Sequence, residues 1–136
     1  MRALDTWKLT GAGYYSYLSV NVVCKRTCLK KESTPQREEA VQTAVRSHAN
    51  FAEYVPFTFG LLFLAELNGA PTSWVHAAYT ALFAFRVSHA TLGMHIGNGM
   101  NLGRKIGFLG TLAVMLGAGL YLSLIHISEP TRRRGI

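Results

Sequence analysis

Charged residues are scarce in this sequence. They make up 15% of its 136 residues, whereas a soluble domain usually carries about 25%. Only two cysteines occur, so no disulfide framework is predicted, and two thiols are too few for a closed zinc site. The N-terminal stretch has no small-residue cleavage site after a compact apolar core, so no cleavable signal peptide is expected. The shortage of charge indicates a membrane protein.

Hydrophobic residues, at 49%, are gathered into long runs. Three nearly uncharged runs span residues 51–67, 74–87 and 106–124, and a weaker one spans 9–23. Each strong run approaches the roughly 20 residues that a helix needs to cross a bilayer. A soluble bundle with a fully buried core is the alternative, but its apolar runs are usually shorter. We therefore predict an all-α protein, an integral membrane bundle of four transmembrane helices.

Local signals set the expected helix boundaries. Thr34 suits the N-cap and Pro35 suits the first helical position, so the second helix should begin there. It should end near Leu67, before a short turn, and Thr72 or Ser73 should cap a third helix that continues to about residue 92. The fourth helix should open near residue 104. Its small residues predict a face for close packing: Gly107, Gly110, Ala113, Gly117 and Ala118.

The net charge of +7 comes from basic residues in the connections between apolar runs. This distribution is typical of membrane-protein topology rather than of nucleic-acid binding, so no nucleic-acid partner is expected. The connections after the first and third helices are basic, and the one after the second is neutral. Because two crossings separate the basic connections, Lys30 and Arg104 should lie on one side of the membrane, the cytosolic side.

A polar stripe is expected on the second helix. Arg46, Asn50 and Glu53 are spaced i, i+4 and i+7, which places them within roughly 60° of arc, with Tyr54 beside them. A cation, an amide and a carboxylate at the membrane margin are costly unless they face a partner or a cavity. The spacing fits two interpretations equally: a functional site, or a clamp between helices that only holds the bundle together.

Arg86 and His89 form a second polar group, three residues apart inside the third apolar run. A guanidinium in such a run is costly when it contacts lipid. We therefore expect Arg86 to pair with Glu53 or Glu66, or to bind an anion. His89 should lie beside Arg86, because residues three apart share a helix face.

Residues 46–56, RSHANFAEYVP, resemble a signature of the MAPEG family, the membrane-associated proteins in eicosanoid and glutathione metabolism. The pattern R-x-x-x-N-x-x-E-Y-x-P is similar to that of the leukotriene synthase branch. FRVSH, at 85–89, resembles the third-helix motif of the microsomal prostaglandin E synthase branch. LLFLAELNGAP, at 61–71, resembles an uncharacterised, largely bacterial branch. The order of the predicted helices resembles that of the family over residues 10–122. The sequence motifs that distinguish the family lie within residues 36–95.

The resemblance implies a bundle of four helices per subunit, assembled as a homotrimer in the lipid bilayer. It also implies that glutathione binds between subunits near the cytosolic face. The residues that would hold glutathione by this resemblance are Arg46, Asn50, Glu53, Tyr54 and His89, with Lys25 or Arg26 as a basic group at the end of the first helix. Arg104 resembles the arginine that stabilises the glutathione thiolate, and it is the candidate catalytic residue.

Two functions of this family then stay open. One is a glutathione S-transferase or peroxidase that acts on a hydrophobic, lipid-like small molecule, and the other is a non-catalytic protein of the same fold that presents lipid. The presence of the polar stripe, together with the Arg104 candidate, favours the enzymatic function. Gly93 favours the non-catalytic function, because characterised members carry a tyrosine at this position. A transporter is disfavoured, since the chain has no inverted repeat. Eukaryotic members would lie in the endoplasmic reticulum and bacterial ones in the inner membrane.

The last residues follow a different pattern. SLIHISEPTR, at 123–132, resembles a translated sequencing-adaptor read-through. We therefore expect a single MAPEG-like transmembrane domain over residues 1–122, followed by a non-native tail over 123–136. No function is assigned to His126 or to the basic residues that follow it.

Overall fold

The computed structural model describes residues 3–28, 34–91 and 102–128. Nearly all of these residues belong to four α-helices, which are α1 (Ala3–Cys28), α2 (Pro35–Leu67), α3 (Thr72–Ala90) and α4 (Leu102–Ser128). The described residues contain no β-strand. The prediction of an all-α four-helix bundle is confirmed.

The predicted boundaries of α2 are confirmed at both ends. Thr34 has an extended backbone at the N-cap, and its carbonyl accepts hydrogen bonds from the backbone N–H groups of Arg37 and Glu38 at 3.0 and 3.2 Å. The Thr34 side chain makes no capping bond. Pro35 occupies the start of the helix, where its missing N–H leaves no intrahelical bond unmade. The backbone, rather than a side chain, therefore satisfies the first turn.

A tight turn joins α2 to α3. Gly69 has a φ of +85°, a left-handed conformation that glycine adopts without the steric cost of a Cβ. α3 begins directly after Pro71, whose carbonyl accepts a hydrogen bond from the backbone N–H of Val75 at 3.1 Å. Thr72 is therefore the first helical residue rather than the cap, and α3 lies about one residue from its expected position.

Consecutive helices run antiparallel. The backbone N–H of Ala3, at the start of α1, bonds to Glu66, at the end of α2, while Ser19 contacts His48, which lies much earlier in α2. The same opposed order relates α2 to α3 and α3 to α4. The end of α1, the start of α2, the end of α3 and the start of α4 therefore lie at one end of the bundle.

Two clusters of buried apolar side chains fill the bundle. The larger lies near the α2–α3 turn and contains Leu62 and Tyr79, both fully buried. The smaller joins Leu18 of α1 to Phe51 and Val55 of α2. Beyond these clusters, toward the end of the bundle where α3 finishes, polar contacts replace apolar ones.

α3 and α4 are in close contact at two glycines. A Cβ added to Gly107 would lie 2.6 Å from the Cβ of His89 and 2.6 Å from the carbonyl oxygen of Phe85. A Cβ added to Gly110 would lie 2.5 Å from the Phe85 ring. Only glycine fits this helix spacing, because close-packed interiors do not tolerate such overlaps. The predicted small-residue face is confirmed at these two positions and at the fully buried Ala118, whereas Ala113 and Gly117 are exposed.

α4 carries the strongest membrane signal. Among the described helices it alone, over the 24 residues of Leu102–Ile125, is long and apolar enough to cross a bilayer by length and composition. Its outward face is apolar, since more than half of each of these side chains is exposed: Leu109, Leu116, Leu120 and Leu124. Crossing of the bilayer by α1, α2 and α3 stays a prediction.

α4 continues to Ser128, beyond residue 122. The helix itself therefore marks no boundary at the predicted end of the natural domain. The expected non-native tail stays a prediction, and residues 129–136 lie outside the described part of the chain.

Candidate functional site

The Arg86 side chain lies where three helices meet. It is only 2% exposed. Its Nε donates to Oγ1 of Thr111 on α4 at 2.7 Å, its Nη1 to Oδ1 of Asn50 on α2 at 3.0 Å, and its Nη2 to the carbonyl of Gly107 at 3.3 Å. The guanidinium carbon also lies 5.1 Å from the centroid of the Tyr54 ring, within range of a cation–π contact. These five residues form the Arg86 junction, which joins α2, α3 and α4.

Helical spacing on both neighbouring helices explains the Arg86 junction. Asn50 and Tyr54 are four residues apart on α2, and Gly107 and Thr111 are four apart on α4, so each pair presents one face to α3. Oγ1 of Thr111 donates to the carbonyl of Gly107 at 2.8 Å, which leaves its lone pairs for the Arg86 Nε donor. The close approach of α3 at Gly107 brings that carbonyl within reach of the guanidinium.

Arg86 forms no ion pair with a carboxylate in the described part of the chain, and the expected pairing with Glu53 or Glu66 is wrong. Glu66 instead accepts from the backbone N–H groups of Ala3 and Leu4. These N–H groups lack intrahelical partners at the start of α1, where the helix dipole also favours a carboxylate. Glu53 is exposed. Neutral acceptors therefore hold the Arg86 charge.

The polar stripe of α2 lies at the edge of the bundle. Asn50 and the adjacent Tyr54 are half-buried and contact Arg86, whereas Arg46 and Glu53 are exposed. Neither charged residue forms an ion pair with another described residue. The stripe extends for about 10 Å along α2, with its amide turned inward and its two charges open to the outside of this chain. A ligand that carries both an anionic and a cationic group fits this order.

His89 and Arg104 lie at the end of the bundle where α3 finishes and α4 begins. His89 is 4% exposed, and its Cα and Cβ face Gly107. It lies within electrostatic range of both Arg86 and Arg104. Arg104 is half-buried in the first turn of α4, three residues before Gly107. The fold therefore places His89 near two guanidinium groups, of which that of Arg86 contacts Asn50.

Arg26 lies in a different part of the same end of the bundle. It is exposed in the last turn of α1 and lines a cavity of about 340 Å³ between the end of α1 and the start of α2. The other described residues that line it are Arg37, Glu38, Val41 and Gln42. No residue of the polar stripe lines this cavity, so the described chain does not bring Arg26 and the stripe into one pocket.

Two polar contacts were not predicted from the sequence. Thr111 is fully buried on α4 and accepts the Arg86 Nε hydrogen bond. Its place four residues after Gly107, on a helix face predicted for close packing, was the signal that could have identified it. Oγ of Ser19 lies 3.0 Å from Nε2 of His48, and nothing in the spacing of either residue indicates this contact.

Comparison with known proteins agrees with the membrane assignment. The model of the MAPEG family matches residues 6–124. Two curated relatives, the inner membrane protein YecN of Escherichia coli strain K12 and that of Escherichia coli O6:H1, are each 41% identical over 49 residues. Each match covers 36% of this chain and 37% of the relative, so the chain aligns with little more than a third of these proteins. No solved structure matches the chain significantly.

Proposed function

Because the chain belongs to the MAPEG family and is therefore a membrane protein, we propose that it is a glutathione-dependent transferase or peroxidase. Its second substrate is a hydrophobic, lipid-like electrophile. The observation that carries this proposal is the polar stripe, in which an exposed cation and an exposed carboxylate flank an amide held by a buried arginine. Glutathione carries two carboxylates and one ammonium, which complement this order of charges.

The polar stripe binds glutathione in this proposal. The Arg46 guanidinium pairs with a glutathione carboxylate, in the geometry that suits a planar fork of donors. The Glu53 carboxylate pairs with the glutathione ammonium. The remaining contacts are proposed for Asn50, Tyr54 and His89, with Arg26 as a further basic group at the end of α1.

Arg104 is the proposed catalytic residue. A guanidinium beside a thiol lowers the pKa of that thiol and raises its thiolate fraction. The glutathione thiolate then attacks the electrophile. In a transferase a C–S bond forms while the bond from that carbon to its leaving group or epoxide oxygen breaks. In a peroxidase the sulfur attacks a peroxide oxygen, the O–O bond breaks to release an alcohol, and a second glutathione converts the resulting sulfenic acid to glutathione disulfide and water. The hydrophobic substrate enters laterally from the bilayer, which the apolar outer face of α4 contacts in this arrangement.

A homotrimer in the lipid bilayer completes the site in this proposal. Arg46 and Glu53 are exposed in a single chain, so a ligand bound to them is open on one side until a second copy covers it. Three chains of 15.0 kDa give a protein mass of about 45 kDa. Native mass measurement in detergent tests this assembly, and a stable monomer at working concentration would contradict it.

Isothermal titration of glutathione into the detergent-purified protein tests binding, with a decarboxylated analogue as the ligand control. Arg46→Ala should weaken binding about 10- to 150-fold, because it removes a charge-assisted contact. Glu53→Gln should weaken binding as well, because the ammonium loses its partner. Lys105→Ala removes an exposed cation next to Arg104. It is the matched control and should bind glutathione normally.

Measuring kcat beside affinity distinguishes a catalytic role of Arg104 from a role in binding. Arg104→Ala should lower kcat for glutathione conjugation more than it raises the dissociation constant for glutathione, since its proposed role is to stabilise the thiolate. Initial rates with a hydrophobic electrophile, measured beside the titration, give both quantities. A loss of affinity with unchanged kcat would instead make Arg104 a binding residue.

A non-catalytic lipid-binding or scaffold protein of the same fold is the second candidate. Gly93 favours it, because the resemblance implies a tyrosine at this position in characterised members; Gly93 lies outside the described residues. If Arg46 and Glu53 clamp one copy to another instead of binding a ligand, Arg46→Ala and Glu53→Gln would only lower the melting temperature. Glutathione would then never shift the melting temperature of the unsubstituted protein.

The proposed location is the bacterial inner membrane, with several helices crossing the bilayer. YecN, which this chain resembles over part of its length, is an inner membrane protein of Escherichia coli. If the chain came from a eukaryote, the family resemblance would favour the endoplasmic reticulum. Cell fractionation tests the location directly, because a protein recovered in the soluble fraction would contradict it.

A further inference from the structure

We infer that Arg86 is a positioning residue that sets the polarity of one ligand contact. It fixes the Asn50 amide so that Nδ2 faces the ligand, and the ligand group bound there is therefore a hydrogen-bond acceptor, either a carboxylate or an amide carbonyl oxygen. This inference rests on the proposed binding of glutathione by the polar stripe. It adds the chemical nature of one ligand atom and the residue that selects it.

The polarity of the Asn50 amide follows from the chemistry of its partner. A guanidinium has five N–H donors and no acceptor, so only Oδ1 of the amide can face it. The distance from Arg86 Nη1 to Asn50 Oδ1 is 3.0 Å, and the same Nη1 lies 3.4 Å from the Asn50 carbonyl oxygen. A reversed amide would point its N–H groups at a buried cation. The Nδ2 group is therefore directed away from Arg86.

Contacts with other residues fix the Arg86 side chain, so the orientation of the Asn50 amide is fixed as well. It is 2% exposed, and its Nε and Nη2 are bound by Thr111 and Gly107. The Tyr54 ring lies against the guanidinium. The Asn50 amide is therefore oriented before a ligand arrives, which reduces the ordering cost of binding.

The Nδ2 donors of Asn50 make no hydrogen bond to another described residue, and the side chain is half-buried rather than enclosed. Arg46 lies one turn earlier on the same face of α2 and Glu53 one turn later. A ligand that pairs a carboxylate with Arg46 and an ammonium with Glu53 lies across Asn50. A ligand acceptor there meets a donor, whereas a ligand donor meets only N–H groups and is rejected.

Asn50→Asp separates the ligand contact from the structural contact. The aspartate keeps an oxygen for Arg86, and its charge strengthens that bond, so the Arg86 junction is retained. The aspartate lacks the Nδ2 donors and places a carboxylate against the ligand acceptor. A residue that served the bundle alone would tolerate this change, whereas a residue that donates to the ligand would not.

The test is isothermal titration of glutathione into detergent-purified Asn50→Asp, with thermal melting measured on the same sample. We expect a melting temperature equal to or above that of the unsubstituted protein, and a glutathione affinity weaker by about 10-fold or more. Gln36→Glu is the matched control, because it makes the same amide-to-carboxylate change at an exposed position in the first turn of α2. It should leave the glutathione affinity unchanged, and the helix dipole makes any change in its melting temperature a small increase.

Arg86→Lys gives a second measurement. It keeps the positive charge but loses the planar fork that holds three acceptors at once. At a temperature where this variant is folded, we expect the KM for glutathione to rise several-fold while kcat changes less, because Asn50 is no longer oriented. A loss of packing alone would not separate KM from kcat in this way.

The outcomes distinguish this inference from the proposed function. Unchanged glutathione affinity in Asn50→Asp would overturn the inference and leave the proposed function in place. An unchanged KM in folded Arg86→Lys would also overturn the positioning role. If the unsubstituted protein does not bind glutathione at millimolar concentration, both are overturned.

Discussion

At the scale of single residues, the Arg86 junction holds a buried positive charge with neutral groups. Removing a guanidinium from water costs several kcal/mol unless its donors are paired. Asn50, Thr111 and the carbonyl of Gly107 supply acceptors within 3.3 Å. In a low-dielectric interior such bonds are stronger than in water, and an unpaired donor is correspondingly more costly. The stability of the junction therefore depends on each acceptor.

Thr111→Val should lower the free energy of unfolding by about 1–3 kcal/mol, because it leaves Arg86 Nε buried without its acceptor. Valine has a similar shape and is more apolar, so lost packing does not account for such an effect. Thr111→Ser keeps the hydroxyl and is the matched control. Melting temperatures in detergent measure both variants. Equal melting temperatures for Thr111→Val and the unsubstituted protein would show that this bond contributes little.

The sequence predicted the helix face of Asn50 and Tyr54 but not the partners of Arg86. Spacing of four residues fixes which side chains share a face of one helix. Pairing between helices depends on their rotation about their axes, which the contact at Gly107 and the bond from Glu66 to α1 help to set. Neither contact is visible in the spacing along α2 or α3. Carboxylate pairing was therefore a reasonable expectation and the wrong one.

At the scale of helices, boundaries were predicted well where local chemistry decides them. Pro35 suits the first turn of a helix, and Gly69 takes a left-handed conformation in the α2–α3 turn. α4 begins at Leu102, before the expected residue 104, and ends two residues before Pro130. A helix usually stops before the residue that precedes a proline. The change of sequence pattern at residue 123 does not coincide with a helix boundary.

Gly107→Ala and Gly110→Ala should each lower the melting temperature. The new Cβ would lie 2.6 Å from atoms of α3 at Gly107 and 2.5 Å from the Phe85 ring at Gly110. Overpacking of this kind costs about 1–3 kcal/mol. At Gly107 a backbone carbonyl is in the way, so α3 must shift, and the bond from Arg86 to the Gly107 carbonyl should weaken with it.

Gly117→Ala and Gly119→Ala are matched controls for these variants on the same helix. A Cβ at either position meets nothing within 4 Å in this chain. Alanine should therefore leave the melting temperature unchanged, or raise it through its higher helix propensity. If the controls lost as much stability as Gly107→Ala, the effect would come from a contact with another copy rather than from the spacing of α3 and α4.

For the whole molecule, the antiparallel order of the helices determines which ends share a side. The end of α1 and the start of α4 lie at one end of the bundle. The positive-inside rule separately assigns Lys30 and Arg104 to the cytosol. Lys30 lies outside the described residues, but α1 ends close to it in sequence. Helix packing therefore agrees with the charge distribution that the end of α1 and the start of α4 share a side, and the cytosolic identity of that side stays a prediction.

Cysteine labelling tests this topology in a background with Cys24 and Cys28 replaced by serine. Single cysteines at Lys30 and Lys105 should react with a membrane-impermeant reagent from the cytosolic side only. Asn68→Cys, in the exposed turn between α2 and α3, should react only from the other side. Reaction of positions 30 and 105 from opposite sides would contradict the four-crossing arrangement.

The spacing of residues along the chain could not predict which groups cover the candidate site. Intramembrane charge requires a partner or a cavity, and this rule selected Arg46 and Glu53 as candidate site residues. In the described chain both are exposed, and the groups that face them stay a prediction. Helical spacing carries no information about a second copy or a ligand. The trimer and glutathione entered through the family resemblance instead.

Arg86 also bears on how the chain enters the membrane during synthesis. An arginine in a membrane helix makes insertion of that helix less favourable, by up to about 2.5–3.5 kcal/mol when it lies at the helix centre. Arg86 lies in the second half of α3, and α3 is not among the helices that qualify as spanning by composition. α4 does qualify, and it supplies Thr111 and the Gly107 carbonyl as acceptors. We therefore expect α3 to leave the translocation channel together with α4, as a hairpin, only after the ribosome has completed both.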